Sequence, residues 1–156
     1  MGSASRAAAE HQLVVFELAG EAYGVEIGVV REIITMPKVT PVPQAPDYVE
    51  GVLDLRGRVV PVIDLKRRLG LPGAERGRET RIMVMEVDGR TVGCVVDAVT
   101  EVLNVTDDVV EPPPETVTAT AGSYLRGIAK LADRLIILIG PQTLLGDAAW
   151  APDEPA

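Results

Sequence analysis

A chain of 156 residues and 16.6 kDa is long enough for one cored domain or two small ones sharing an interface, and 47% hydrophobic content supports a folded protein. A net charge of -8 with a pI near 4.7 argues against a nucleic-acid binder, since phosphate contacts need clustered positive charge. Aromatics are only 3%, so the core must be aliphatic, which favours many short strands.

Residues 1–11, rich in alanine, are expected to be a flexible N-terminal segment, and they carry no apolar core long enough for a secretory signal. The folded part is expected over residues 12–146. It opens with Gln12–Leu18, an apolar run centred on Phe16, and Ala19-Gly20-Glu21 turns it back into Tyr23–Ile27, a predicted hairpin. Gly28–Met36 is predicted as a short helical turn: Val29 and Ile33, and Val30 and Ile34, are spaced four apart, Arg31 and Glu32 face out, and Pro37 stops it. Two adjacent apolar columns on so short an element leave one available to a partner. Prolines at 37, 41, 43 and 46 make Pro37–Tyr48 a stiff, extended connector.

The chain is organised around Gly51–Leu65. It reads as two apolar strands joined through a tight Arg56-Gly57 corner, with β-branched residues in Val59–Ile63. Two short strands cannot stand alone, so the stretch implies a barrel or sandwich around it. An arginine beside a glycine corner offers a rigid fork of donors suited to carboxylates or helix-end carbonyls, although most turn arginines are simply solvated. Asp64 is the predicted cap of a short helix, Leu65–Leu69, which Gly70 and Pro72 end. Residues 51–81 hold eight of the fifteen basic residues against four acidic ones (Asp54, Asp64, Glu75, Glu79). The segment is therefore +4 and the remainder -12, a polarity suited to fixing orientation in an assembly.

After a charged loop at Gly73–Glu79, a second set of strands loosely repeats the first. Thr80–Val87 and Arg90–Val96 flank an Asp88-Gly89 hairpin signal, and Val99–Val105 follows. Asp107–Thr116 is read as a loop stiffened by Pro112-Pro113-Pro114, and Tyr124–Leu131 with Arg134–Ile139 as a last hairpin through Ala132-Asp133. Pro141–Leu145 is a predicted short helix and 147–156 a disordered acidic tail. The fold class is therefore all-β, with two small closed barrels side by side and a few short helices. The first barrel is expected over about 20–78, and the second over about 79–139 with the strand 12–18 packed on it.

Chemistry finds little support. The one histidine, His11, falls in the segment expected to be flexible, so no histidine-based triad or zinc cluster can be assembled. Cys94, the one cysteine, sits among valines as a small buried hydrophobe, which suits a reducing cytosol. Asp64, Asp97, Asp107 and Asp108 read as a cap and turns, no phosphate-cradling motif appears, and the apolar run Leu135–Ile139 is far short of a bilayer span. An interaction module remains. The competing class, a small-ligand domain or enzyme with its site in the cleft between barrels, needs convergent polar groups where the sequence supplies mainly aliphatics.

Several separated motifs occur in order: Phe16-Glu17-Leu18, Tyr23-Gly24-Val25-Glu26-Ile27, Gly51-Val-Leu-Asp-Leu-Arg-Gly57, Val60-Pro61-Val62-Ile63-Asp64-Leu65, Val95-Val96-Asp97, and Glu101-Val102-Leu103. Together, over about Gln12–Gly146, they resemble the CheW family of chemotaxis adaptors, with Asp54 where many relatives carry asparagine. The resemblance implies a non-catalytic scaffold of two five-stranded SH3-like β-barrels, without cofactor, metal, nucleic acid or membrane insertion. It also implies a cytoplasmic protein recruited to receptor arrays, where it couples methyl-accepting chemotaxis receptors to the histidine kinase CheA, in motility or in a related system controlling pili, development or a second messenger. Receptor contact is carried onto Val30, Glu32, Gly51, Arg56, Ile82, Gly93, Val99 and Val102. The kinase regulatory domain is expected on barrel flanks, with no residues assigned.

Overall fold

The computed structural model describes residues 9–72, 76–114 and 124–141. Among them the elements run β1 (Glu10–Leu18), β2 (Glu21–Glu26), β3 (Val30–Thr35), β4 (Val49–Leu55), β5 (Arg58–Asp64), α1 (Leu65–Arg68), β6 (Arg81–Val87), β7 (Arg90–Val96), β8 (Ala98–Thr106), β9 (Val110–Glu111), β10 (Leu125–Lys130) and β11 (Leu135–Ile139). The fold is all-β with two subdomains, one sheet ordered β8-β1-β2-β11-β10-β9 and the other β3-β6-β7-β5-β4. The expected helix beyond Pro141 and the tail at 147–156 lie outside the described residues.

Four expectations are corrected. Gly28–Met36 is not helical: a 3-10 turn at Ile27–Val29 leads into β3, which pairs antiparallel with β6. Its β-branched residues (Val30, Ile33, Ile34, Thr35) favour a pleated surface, and the spacing of four was coincidental with alternation. Glu10 and His11 are the first residues of β1, where long-range pairing with β8 extends the strand beyond its apolar run. The loop at Asp107–Thr116 contains a 3-10 turn (Asp107–Val109) and β9, which pairs with β10. Finally, the barrels are not residues 20–78 and 79–139. β2 stays with its hairpin partner β1 and runs parallel to β11, whereas β6 and β7 complete the sheet of β3, β4 and β5. The charged loop before β6 is therefore an insertion within one sheet and not a boundary.

The two sheets repeat one plan. Each has a hairpin (β6-β7, β1-β2) flanked antiparallel by one strand (β3, β8) and parallel by another (β5, β11), and the latter pairs with a bulged strand (β4, β10). Registers match as well: Val84 faces Gly93 and Glu32 as Val15 faces Gly24 and Glu101, while Gly51 faces Val62 as Gly127 faces Leu138. The extra strand of the six-stranded sheet is the two-residue β9, whose counterpart in the other sheet is the lone bridge between Thr40 and Val52. Ion pairs join strands at opposite sides of each sheet, Glu32 on β3 to Arg56 in the β4–β5 turn and Glu101 on β8 to Arg134 before β11. Each sheet therefore curls back on itself.

Alternation along the strands sorts the apolar residues into three cores. Leu13, Val15, Val105, Ala129, Ile136 and Leu138 fill the six-stranded sheet, and Leu53, Val60, Val62, Ile82, Val84 and Val95 fill the five-stranded one. The opposite faces of the same strands (Val14, Phe16 and Leu18 of β1, Met83 and Met85 of β6) meet in a seam between the sheets, with Ile63, Leu65 and Cys94. Strands buried on both faces read as continuous apolar runs. Burial pushes the Cys94 thiol up to about 12, so it packs and does not react.

Candidate docking surface

The Arg56-Gly57 corner is a two-residue hairpin turn with φ of 55° at Arg56 and 85° at Gly57. That is the turn geometry whose twist suits flanking strands, and it normally selects asparagine, aspartate or glycine. An arginine in the left-handed region costs about 1 kcal/mol, an outlier that points toward use of its side chain. Asp54 holds the corner, its carboxylate accepting the Gly57 N–H at 2.8 Å. Its place before Leu-Arg-Gly is therefore a turn lock as well as a charge.

The Arg56 guanidinium, 73% exposed, donates to both carboxylate oxygens of Glu32. Exposed ion pairs contribute only about 0–1 kcal/mol, so this one orients the fork more than it stabilises the fold. The strand and hairpin that carry the pair also expose Ile33 (41%) and Val59 (59%). Their counterparts in the other sheet, Val102 (53%) on β8 and Leu135 (57%) at the start of β11, directly follow Glu101 and Arg134 in the chain. Val59 and Leu135 were missed by sequence reasoning, which took Val59–Ile63 as uniformly apolar, whereas Ile33 stood in one of the two columns of which one was left to a partner. Strict alternation from buried Val60 would have turned Val59 outward.

The expected receptor residues divide into three groups. Glu32 and Arg56 are brought together as an ion pair. Val30 and Val99, at matching positions on β3 and β8, are both half-buried against the seam, and Val102 is exposed further along β8. Gly51, Ile82 and Gly93 are interior, which corrects their assignment as direct contacts. Ile82 is fully buried in the core of the five-stranded sheet, and a Cβ on Gly93 would stand 2.9 Å from the Ile82 Cγ2. At Gly51, φ is 149° and a Cβ would stand 2.1 Å from the Thr40 carbonyl oxygen. These three shape the frame from beneath.

Among the described residues, several cations of the basic segment are paired with carboxylates. Arg76 donates to both Glu50 oxygens at 2.7 and 2.9 Å and approaches Asp64 at 3.4 Å, and this bonding holds the Glu50 carboxyl below its usual range. Lys66 pairs with Asp97 and Arg67 with Asp64, whose other role is to cap α1 by accepting the Lys66 and Arg67 N–H groups. Much of the +4 asymmetry is neutralised within the fold. Among the described residues, no group of three or more His, Cys, Asp or Glu side chains is placed to hold a metal ion, and no helix is long and apolar enough to cross a membrane.

A family model described as a CheW-like domain matches residues 12–149. The chain is similar to the chemotaxis protein CheW of Klebsiella aerogenes (36% identical, covering 90% of this chain and 84% of the relative). It is similar also to that of Rhizobium meliloti (38%, covering 82% and 83%). Among solved structures it resembles the scaffolding protein TtCheW of Thermoanaerobacter tengcongensis, with a TM-score of 0.82 and 39% identity over 88% of this chain and 93% of that one.

Proposed function

The chain belongs to the CheW-like family, and on that premise we propose that it is a non-catalytic scaffold coupling methyl-accepting chemotaxis receptors to the histidine kinase CheA. The observation that carries the docking reading is Arg56, fixed in a left-handed turn, braced by Glu32 and left largely exposed. The tip of a receptor helical hairpin lays apolar side chains against Val30 and Val99 at the edges of the seam, and Arg56 takes the polar end through its remaining donors. Gly51, Ile82 and Gly93 act indirectly, by setting the level of the surface above them. The kinase regulatory domain docks on the barrel flanks, where Val59 on one sheet and Leu135 on the other are each exposed apolar residues. The protein works in the cytoplasm, drawn to arrays by these partners.

Arg56→Glu reverses the fork and sets it against Glu32. Titration of a receptor hairpin tip is expected to show affinity weakened by about 2 kcal/mol, roughly thirtyfold, with an unchanged circular dichroism spectrum. Equal affinity for both chains removes Arg56 from the receptor surface. Val59→Asp and Leu135→Asp are each expected to weaken binding of the CheA regulatory domain about tenfold while sparing the receptor tip. Unaltered kinase isotherms for both variants place that contact elsewhere, and the receptor and kinase retained in a pull-down identify the pathway served.

A further inference from the structure

We propose that His11, Asp107 and Glu26 form a proton-operated clasp that holds the start of β1 onto the turn between β8 and β9 and closes the mouth of the six-stranded sheet. His11 Nε2 is bonded to Asp107 Oδ1, and its Nδ1 stands 3.7 Å from Glu26 Oε2. Arg126 of β10 approaches the same Glu26 oxygen at 3.5 Å. The imidazole of β1 therefore joins β2 and the Asp107–Val109 turn, and Glu26 links β10 to them through Arg126. Beside them the Asp107 N–H donates to the Ala9 carbonyl at 2.9 Å, so the turn and the strand are tied through backbone as well. Beneath lies a cavity of about 140 Å³ lined by Leu13, Val25, Val105 and Leu138.

An imidazolium has two N–H donors and can serve both carboxylates, whereas neutral imidazole has one donor and must release one of them. Protonated, the cluster of His11, Arg126, Glu26 and Asp107 is neutral. Deprotonated, it carries one net negative charge with two carboxylates facing one guanidinium. The hydrogen bond from Asp107 raises the histidine above its ordinary 6.5 against the opposing effect of burial, and the charges of Asp107 and Glu26 add to the rise. The Asp107 carboxyl is held low in return by the same bond. A raised folded-state value means that the contribution is fully present below pH 6.5 and is lost as pH rises through the folded midpoint. On the acid side it ends where Asp107 protonates. On the neighbouring strands Lys130 of β10 pairs with Glu111 of β9 at 4.0 Å.

NMR on the full chain tests this directly. The His11 ring protons are expected to titrate above 6.5, and in Asp107→Asn the midpoint falls toward that value. Across the wild-type midpoint, the exchange protection of the Asp107 amide, corrected for intrinsic rates, is expected to drop about threefold, as suits an exposed ion pair. In His11→Gln, which keeps one donor, that protection becomes independent of pH. A wild-type midpoint at or below 6.5, a midpoint unmoved by Asp107→Asn, or protection that does not change through the titration overturns the clasp.

Discussion

Gly51→Asp is expected to cost about 4 kcal/mol of folding stability, a large share of the roughly 5–15 kcal/mol that holds a domain together. Three backbone atoms meet any Cβ at this position: Thr40 O at 2.1 Å, Thr40 C at 2.7 Å and Pro41 Cα at 3.0 Å. None is the flexible end of a side chain. The bridge they belong to consists of the Thr40 N–H to Val52 O and Val52 N–H to Thr40 O bonds, both 2.8 Å, and pushing the connector away breaks both. Two backbone bonds at about 1 kcal/mol each, with a φ of 149° that suits glycine alone, account for the figure. Urea unfolding measures it. Gly51→Ala separates two explanations of any loss of receptor binding, because alanine brings the same Cβ without a carboxylate. If the glycine keeps a docking groove open, alanine is tolerated; if it lets the connector lie on β4, alanine is nearly as harmful as aspartate. A Gly51→Ala chain within about 1 kcal/mol of wild type sinks the steric account. The matching Gly127 has more room, with Glu111 O at 3.1 Å, so Gly127→Ala is the milder control.

That contrast shows where the sequence was legible and where it was not. Short-range chemistry could be read: the Asp88-Gly89 hairpin, the Asp64 cap and the Arg56 corner all depend on residues within a few positions of one another. Pairing between distant strands could not. Nothing local tells β2 to lie parallel to β11, or the β6-β7 hairpin to join β3 and β5, because those choices are made by the seam, where Phe16, Tyr23, Ile63 and Met83 bury jointly. β3 shows the same limit, since its Val-Arg-Glu-Ile-Ile-Thr run fits helical spacing and pleat alike until β6 supplies hydrogen bonds. For the candidate site, residue types led to Arg56 and Glu32, but an apolar residue such as Ile82 looks identical in sequence whether it faces a partner or the interior. His11 was misplaced for the related reason that its partner, Asp107, lies far along the chain.

Asp97→Ala is expected to destabilise the chain by about 3 kcal/mol, and Lys66→Met by only about 1 kcal/mol, although the two residues form one pair. Asp97 is the single residue between β7 and β8, hence one of the two places, among the described residues, where the chain crosses between sheets; the other is the Ile27–Val29 turn. Its carboxylate accepts from the Lys66 Nζ of α1 at 2.7 Å and from the Ala19 N–H of the β1–β2 turn at 2.9 Å, while its own N–H donates to Glu17 O at 3.0 Å. Both sheets are thus tied to one side chain. The asymmetry follows from burial: Lys66 is 4% exposed, whereas the Asp97 side chain is 26% exposed. Removing the carboxylate leaves an ammonium deep in the fold and unties the Ala19 turn. Removing the ammonium leaves a carboxylate that water reaches and that still accepts the Ala19 N–H. Lys66→Met combined with Asp97→Asn takes away both charges while keeping side-chain volume and the turn bond, so most of the stability lost by Asp97→Ala should be absent. Chemical unfolding of the three variants decides the matter: equal losses for Asp97→Ala and Lys66→Met mean that the burial of the Lys66 charge does not set the asymmetry.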